Sequence, residues 1–226
     1  MIGIHSKFLV HWTGKDIEKQ PKDKRSLLYV ERLKDDLREG LFTKATEEAV
    51  IRRLKIKNIT RLCFTEIRLS QAQTHAERYG KLGIGFTRDF IMNKGGRPVI
   101  YIPFEADSSL LEDSMRNIFE KTKDKDDEEI HRSLKWIMTY IKRMSNEKGE
   151  DFYEEMEWRL VHRSDDKYIK DVGNGVHRLK FEVIDVKVII FPDEDTKKLS
   201  LNDKCIRKYL SEHTPIMATL EECRNF

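Results

Sequence analysis

Cysteine and proline are both scarce in these 226 residues, and no long apolar run occurs. The three cysteines, Cys63, Cys205 and Cys223, are far apart and odd in number. That pattern excludes a disulfide framework and a zinc spacing, so reduced, structural thiols in a cytoplasm are expected. Five prolines give no Pro-rich linker, and no internal repeat divides the chain. No window approaches the roughly 18 uninterrupted apolar residues that a transmembrane helix needs. The opening MIGIHSKFLVHWTG lacks a charged leader, a long apolar stretch and a small-residue cleavage site, so no secretory signal is expected. Charge of one sign is missing too. Forty-three Lys and Arg against forty Asp and Glu leave +3, which excludes a strongly basic nucleic-acid coat. Phosphate loops with Lys-Ser or Lys-Thr, Gly-x-Gly-x-x-Gly, Gly-x-Ser-x-Gly and His-Glu-x-x-His are all absent. Lys81-Leu-Gly-Ile-Gly85 has only two glycines and is expected to be a turn. The seven histidines include no pair at metal-ligand spacing beside a Cys, so no metal site is expected.

What is present is an ordered, charge-rich chain. Charged residues make up 37%, against about 25% in ordinary soluble domains, yet 11 Phe, 7 Tyr and 3 Trp sit among aliphatic clusters. Lys7 to Trp12 reads as a buried strand and Lys15 to Lys24 as an exposed loop. Leu27, Leu28, Val30, Leu33 and Leu37 fall at helical spacing over Arg25 to Glu39, with Gly40 to end the helix. A second amphipathic piece is placed at Thr46 to Leu54. Ile59 to Ile67 is read as a strand, then Gln71 to Tyr79 as a helix capped by Ser70. Strands follow at Ile84 to Phe90 and Pro98 to Pro103, joined by Asn93-Lys94-Gly95-Gly96. Amphipathic helices are expected at Ser108 to Lys121 and Asp127 to Ser145. The end reads as strands at Glu157 to His162, Val176 to Phe181 and Val186 to Phe191, and a helix at Asp203 to Leu210. The order predicts one α+β domain over 1–226, with a helical insert near 104–150.

Three clusters carry candidate chemistry. His11-Trp12-Thr13-Gly14-Lys15 ends an apolar strand, and His11 either hydrogen-bonds a ligand or is satisfied by backbone groups. From Cys63 to Thr87, Arg68 stands at a strand-to-helix junction where a guanidinium could hold a phosphate, and Tyr79 offers a flat face beside a turn. The bland alternatives are an Arg68–Glu66 pair and a core Tyr79. In Tyr153 to Val161, charge alternates with apolar residues at strand period, so Glu155, Glu157 and Arg159 share one face. Glu157 is the candidate electrostatic catalyst there, while Glu154 and Glu155 are expected to be solvated. Arg52-Arg53-Leu-Lys55-Ile-Lys57 and Lys142-Arg143 are short basic clusters that suit a nucleic-acid substrate or a solvated helix face.

Taken in order, His-Trp-Thr-Gly, Cys-Phe-Thr-Glu-Ile-Arg, Arg-Tyr-Gly, Gly-Ile-Gly-Phe, Pro-Val-Ile-Tyr and Glu-Trp-Arg-Leu resemble the AbiGi family of bacterial abortive-infection proteins over residues 8–192. Members of that family are phage-resistance factors, often the antitoxin half of a two-gene system. The early strand-end His, the central aromatic and the late strand Glu are also similar to DarT-type ADP-ribosyltransferases. That likeness implies a mixed or antiparallel sheet core and NAD as co-substrate. It also implies a nucleic-acid or protein acceptor. It makes His11 the ribose anchor with Thr13 beside it, Arg68 the pyrophosphate contact, Tyr79 the aromatic on nicotinamide and Glu157 the catalytic carboxylate. Phe86 or Phe90 are alternatives to Tyr79, and Arg88 or Arg97 to Arg68; no Ser-Thr-Ser element is found on the second strand. Two functions follow. One is an NAD-dependent ADP-ribosyltransferase in phage defence, which the set of four favours. The other is a non-enzymatic module that binds a cognate toxin or antitoxin.

Overall fold

The computed structural model describes residues 8–51, 54–66, 68–103, 110–123, 128–145, 151–162, 167–173 and 175–225. The first strand, β1 (Phe8–Thr13), buries Leu9 on one face and Val10 and Trp12 on the other, which marks a strand in the middle of a sheet. Helix α1 (Lys22–Glu39) begins behind Pro21, earlier than the expected Arg25, and ends at Gly40 with φ +96°. Strands β2 (Leu41–Ile51) and β3 (Leu54–Thr65) then form a long antiparallel pair with Ala45 opposite Thr60 and Ile51 opposite Leu54. This corrects the amphipathic piece placed at Thr46 to Leu54. Thr43, Thr46, Val50 and Ile51 are β-branched and favour a pleated strand over a helix. Arg52 and Arg53 of the basic cluster lie outside the described residues.

After β3 a 3-10 turn at Leu69–Gln71 precedes α2 (Ala72–Tyr79). Gln71, not Ser70, occupies the N-cap, because the Gln71 N–H closes the turn on the Arg68 carbonyl at 2.9 Å. Gly80 turns the chain at φ +120°, where a Cβ would collide with the Thr13 carbonyl. The two-glycine segment expected as a turn is instead part of β4 (Leu82–Thr87), and Phe90 is not in that strand. Thr87 ends β4 by capping α3 (Arg88–Asn93), its hydroxyl accepting the Phe90 N–H at 3.2 Å.

Strands β5 (Arg97–Pro98) and β6 (Ile100–Ile102) come next, followed by α4 (Leu110–Lys123) and α5 (Glu128–Thr139). Helix α5 stops short of the expected Ser145 because the chain continues as β7 (Ile141–Arg143), parallel to β6 with Ile100 opposite Ile141. The expected insert at 104–150 thus contains α4, α5 and β7, and its stretches 104–109, 124–127 and 146–150 lie outside the described residues. The remaining elements are β8 (Glu157–Val161), β9 (Ile169–Gly173), β10 (Val176–Leu179), β11 (Val186–Phe191), α6 (Glu194–Asn202), α7 (Lys204–Leu210) and β12 (Ile216–Thr219). Strands β9 and β12 and helix α6 were not expected. Helix α6 is short, and its start rests on Asp193, whose carboxylate accepts the Thr196 N–H at 2.7 Å.

The main sheet runs β12-β11-β4-β1-β3-β2-β10-β9, and β8 lies against β3 and carries β5. Among the described residues only β11 and β12 are parallel within it, so the architecture is α+β with a mixed sheet, as expected. One face packs Leu9, Phe64, Phe86 and Ile189 against Tyr29, Leu33 and Leu37 of α1. The other packs Val10, Trp12, Val188 and Ile190 against Ala72 and Ala76 of α2. Gly85 lets β11 approach β4 there, since a Cβ would run into the Val188 side chain.

Asp36 of α1 is 2% exposed, and its Oδ2 has no hydrogen-bond partner. Burial pushes its pKa up from 3.8 to about 7, against the pull of Arg32 and Arg178. The folded state therefore holds this proton more tightly than the unfolded one, and stability falls as pH rises from about 4 through about 7. Asp36→Asn should remove that loss, on the order of 2–4 kcal/mol by pH 8. Urea unfolding of both proteins at pH 5 and 8 checks it.

Candidate functional site

The central sheet opens between β1 and β3. β1 pairs with β4 along its whole length, from Phe8 opposite Thr87 to Thr13 opposite Leu82, but meets β3 only at Val10 opposite Thr65. Beyond that rung the His11 ring spans the gap, its Nδ1–H donating to the Cys63 carbonyl at 2.9 Å. A carbonyl only accepts, so the proton sits on Nδ1 and Nε2 is left as an acceptor. Burial and nearby Arg32 lower the His11 pKa, partly offset by this bond, which keeps the ring neutral. Trp12 donates its indole N–H to Thr65 Oγ1 at 2.9 Å, bridging the two strands on the α2 face.

The gap leads into a cavity of about 210 Å³ lined by His11, Trp12, Tyr79, Lys142, Glu157 and Arg159, with Arg61, Cys63, Thr65 and Glu155 completing the wall. Strand pairing builds its floor. Cys63 is opposite Arg159 and Thr65 opposite Glu157, so these four side chains share one face of β3 and β8. Glu157 is 4% exposed and fully engaged: Oε1 accepts from Arg159 Nε at 2.7 Å and Oε2 from Lys142 Nζ at 2.8 Å. Burial pushes its pKa up, but Arg159 and Lys142 outweigh burial and hold it at about 2. The Cys63 thiol beside it is pushed up to about 12 by burial and the Glu157 charge, which favours the neutral thiol.

Glu155 is 2% exposed, which corrects its expected place on a solvated face. It accepts from Lys142 Nζ at 2.6 Å, from the Tyr79 hydroxyl and from Arg78. Between the two glutamates Met156 adopts φ +43°, the left-handed region that a non-glycine residue enters only under constraint. Its carbonyl accepts the Glu66 N–H at 3.2 Å, which ties this turn to the end of β3. Lys142 comes from β7, and its ammonium also lies 4.6 Å from the centroid of the Phe152 ring. It is therefore committed inward and is not part of a solvated basic face.

The fold thus gathers His11, Tyr79 and Glu157 from β1, α2 and β8 around one cavity. It does not bring the other two expected residues there. Thr13 accepts a hydrogen bond from Arg32 of α1 at 2.9 Å, and Arg68 is exposed ahead of the 3-10 turn. Arg88, not Arg68, pairs with Glu66, whose other oxygen accepts the Trp158 indole N–H at 2.7 Å. Sequence reasoning missed Lys142, Glu155 and Arg159 as site residues. The Glu155-x-Glu157-x-Arg159 alternation signalled two of them; nothing local signalled Lys142. Among the described residues no group of three or more His, Cys, Asp or Glu could hold a metal ion, and no helix is long and apolar enough to cross a membrane.

Three cations against two carboxylates leave the lining one positive charge in excess, beside the flat faces of Trp12 and Tyr79. That chemistry suits a ligand with an aromatic ring and anionic groups. The volume is below the roughly 300–1,000 Å³ that encloses a drug-sized molecule.

A family model described as "Putative abortive phage resistance protein AbiGi, antitoxin" matches residues 34–192. That span exceeds half of the chain, and the chain belongs to the AbiGi family. The match begins inside α1, later than the resemblance from residue 8, so β1 with His11 and Thr13 lies outside it. No curated protein and no solved structure matches the chain.

Lys142→Met should leave Glu155 and Glu157 facing each other without the shared ammonium. Breaking a buried pair in this way costs about 3 kcal/mol. Urea unfolding at pH 7 measures it, and unchanged stability would count against the cluster.

Proposed function

We propose that this chain acts in abortive phage resistance as the antitoxin half of a two-protein pair, binding and restraining a cognate toxin. The family match over residues 34–192 carries the reading. Exposed apolar side chains supply contact surface for a partner: Leu111 and Ile118 on α4, Ile130 and Ile137 on α5, and Leu27 on α1. Burying such side chains on a partner removes apolar area from water, the main driving force of association. Expression of the toxin encoded beside the gene, with and without this chain, tests it. Growth arrest relieved by the chain, with both proteins co-purifying, is the expected result. Arrest caused by this chain alone would contradict it.

One observation favours a second reading, an NAD-dependent ADP-ribosyltransferase acting on nucleic acid or a host protein. His11, Tyr79 and Glu157, the residues that the DarT-type likeness singles out, line the same cavity. NAD would supply an activated ribose whose bond to nicotinamide breaks with its electron pair, the acceptor nucleophile taking the ribose carbon and losing a proton. Within the chain, the His11 Nε2 would accept from a ribose hydroxyl and Tyr79 would cover the ring. The ionised Glu157 would stabilise positive charge growing on the sugar. Lys142 tempers that role, because a ribose hydroxyl must displace its ammonium to reach Oε2. In this reading Arg68, which is exposed and not among the residues lining the cavity, does not supply the diphosphate contact expected of it. Nicotinamide release by wild type and Glu157→Gln, with RNA, DNA or cell extract, decides it. Turnover lost by at least about a hundredfold in the variant is expected. Absence of both turnover and NAD binding would end this reading.

A further inference from the structure

A second cavity, of about 490 Å³, also has Glu157 in its wall, together with Tyr101, Tyr153, Trp158, Val99 and Met156. Its volume falls within the roughly 300–1,000 Å³ of sites that enclose a small organic ligand. No Lys, Arg or His is among the lining residues, so an anion entering it would lose water and gain no cation. A cation fares no better, because the inner carboxylates are already paired. Glu66 accepts from Arg88 and from the Trp158 indole, and Glu157 from Arg159 and Lys142. Glu154 remains, but it is exposed to water at the mouth. The interior therefore favours a guest without charge.

One polar group is left open. The Tyr101 oxygen accepts the Glu157 N–H at 2.8 Å, and among the described residues nothing accepts the Tyr101 proton. Burial raises the Tyr101 pKa above its ordinary 10.0, so the hydroxyl keeps that proton and stays a donor. A second aromatic ring steadies the first: Tyr101 and Tyr153 meet edge to face, centroids 5.4 Å apart at 79°. Three rings with Val99 and Met156 supply the apolar contact that a flat guest needs.

We infer that this cavity binds a small uncharged aromatic compound whose carbonyl oxygen accepts the Tyr101 hydroxyl. A carbonyl answers the open donor and brings no N–H or O–H that needs an acceptor of its own. The inference stands apart from both functional readings above. Tyr101 and Tyr153 are absent from the lining of the first cavity, and neither NAD nor a toxin is required.

Calorimetric titration of the full chain with acetophenone, an uncharged ring bearing one carbonyl, tests it. Saturable binding that is no weaker at high salt than at low salt is the expected result. Toluene, which lacks the carbonyl, should bind about fivefold more weakly, the worth of one neutral hydrogen bond. Tyr101→Phe should weaken acetophenone by the same factor and leave toluene unchanged. Circular dichroism checks the fold of that variant, since the Glu157 N–H also loses its acceptor. Tyr153→Ala changes an exposed residue and should weaken both probes about fivefold, the loss of one ring contact. No saturable binding of acetophenone, or affinity unchanged in Tyr153→Ala, would overturn the site. Toluene binding as tightly as acetophenone would overturn the carbonyl contact. Benzoate or benzylamine binding more tightly than acetophenone would overturn the preference for an uncharged guest.

Discussion

Glu157 is held charged inside the protein, and the site depends on how that is done. An ion removed from water costs several kcal/mol even in a relaxed protein interior, and its partners repay this only with good geometry. Here Arg159, two residues along β8, supplies one pair and Lys142, from β7, supplies the other. Lys142 in turn bridges to Glu155, and Glu155 accepts from Tyr79 at the end of α2. Three separate stretches of chain are therefore pinned to one another through one buried cluster. The insert that bears β7 is part of this arrangement, since without its ammonium the two carboxylates would face each other.

The opening in the sheet follows from the same constraint. β1 follows β4 for six residues and leaves β3 after one rung, so the sheet splits beside the charge cluster. A split sheet leaves backbone groups unpaired, and His11 answers one of them by donating to the Cys63 carbonyl. The imidazole is thus a structural bridge and a cavity wall at once. Trp12 closes the other side through Thr65. Glu157 lines both this cavity and a second one of about 490 Å³.

Much of the local structure was legible. The buried apolar run of β1 and the helical spacing of α1 with Gly40 at its end gave both elements from residues alone. The α2 helix and β11 were legible for similar reasons. Thr46 to Leu54 was misread because its charged residues hide the β-branched pattern, and pairing with β3 decides its conformation. β9 and β12 are short and take their form from neighbouring strands, a tertiary effect that periodicity does not carry. In the site, His11, Tyr79 and Glu157 were readable as polar or aromatic residues at the ends of elements. Lys142 was not, because its role depends on β7 lying beside β6 and facing β8. Arg68 misled for the converse reason: the extra 3-10 turn carries it to the surface, and Arg88 takes the Glu66 pair.

The whole account requires that Glu157 remain ionised in its buried setting. Its pH titration, followed by the carboxyl carbon signal of labelled glutamate with Glu157→Gln for assignment, measures this directly. The account predicts a midpoint at about 2, so that the carboxylate keeps its charge until the fold itself is challenged by acid. The stability it contributes would then be present above the ordinary value of 4.5 and lost as pH falls toward about 2. A midpoint at or above 4.5 would mean that Lys142 and Arg159 do not hold the charge, and the site as described would not stand.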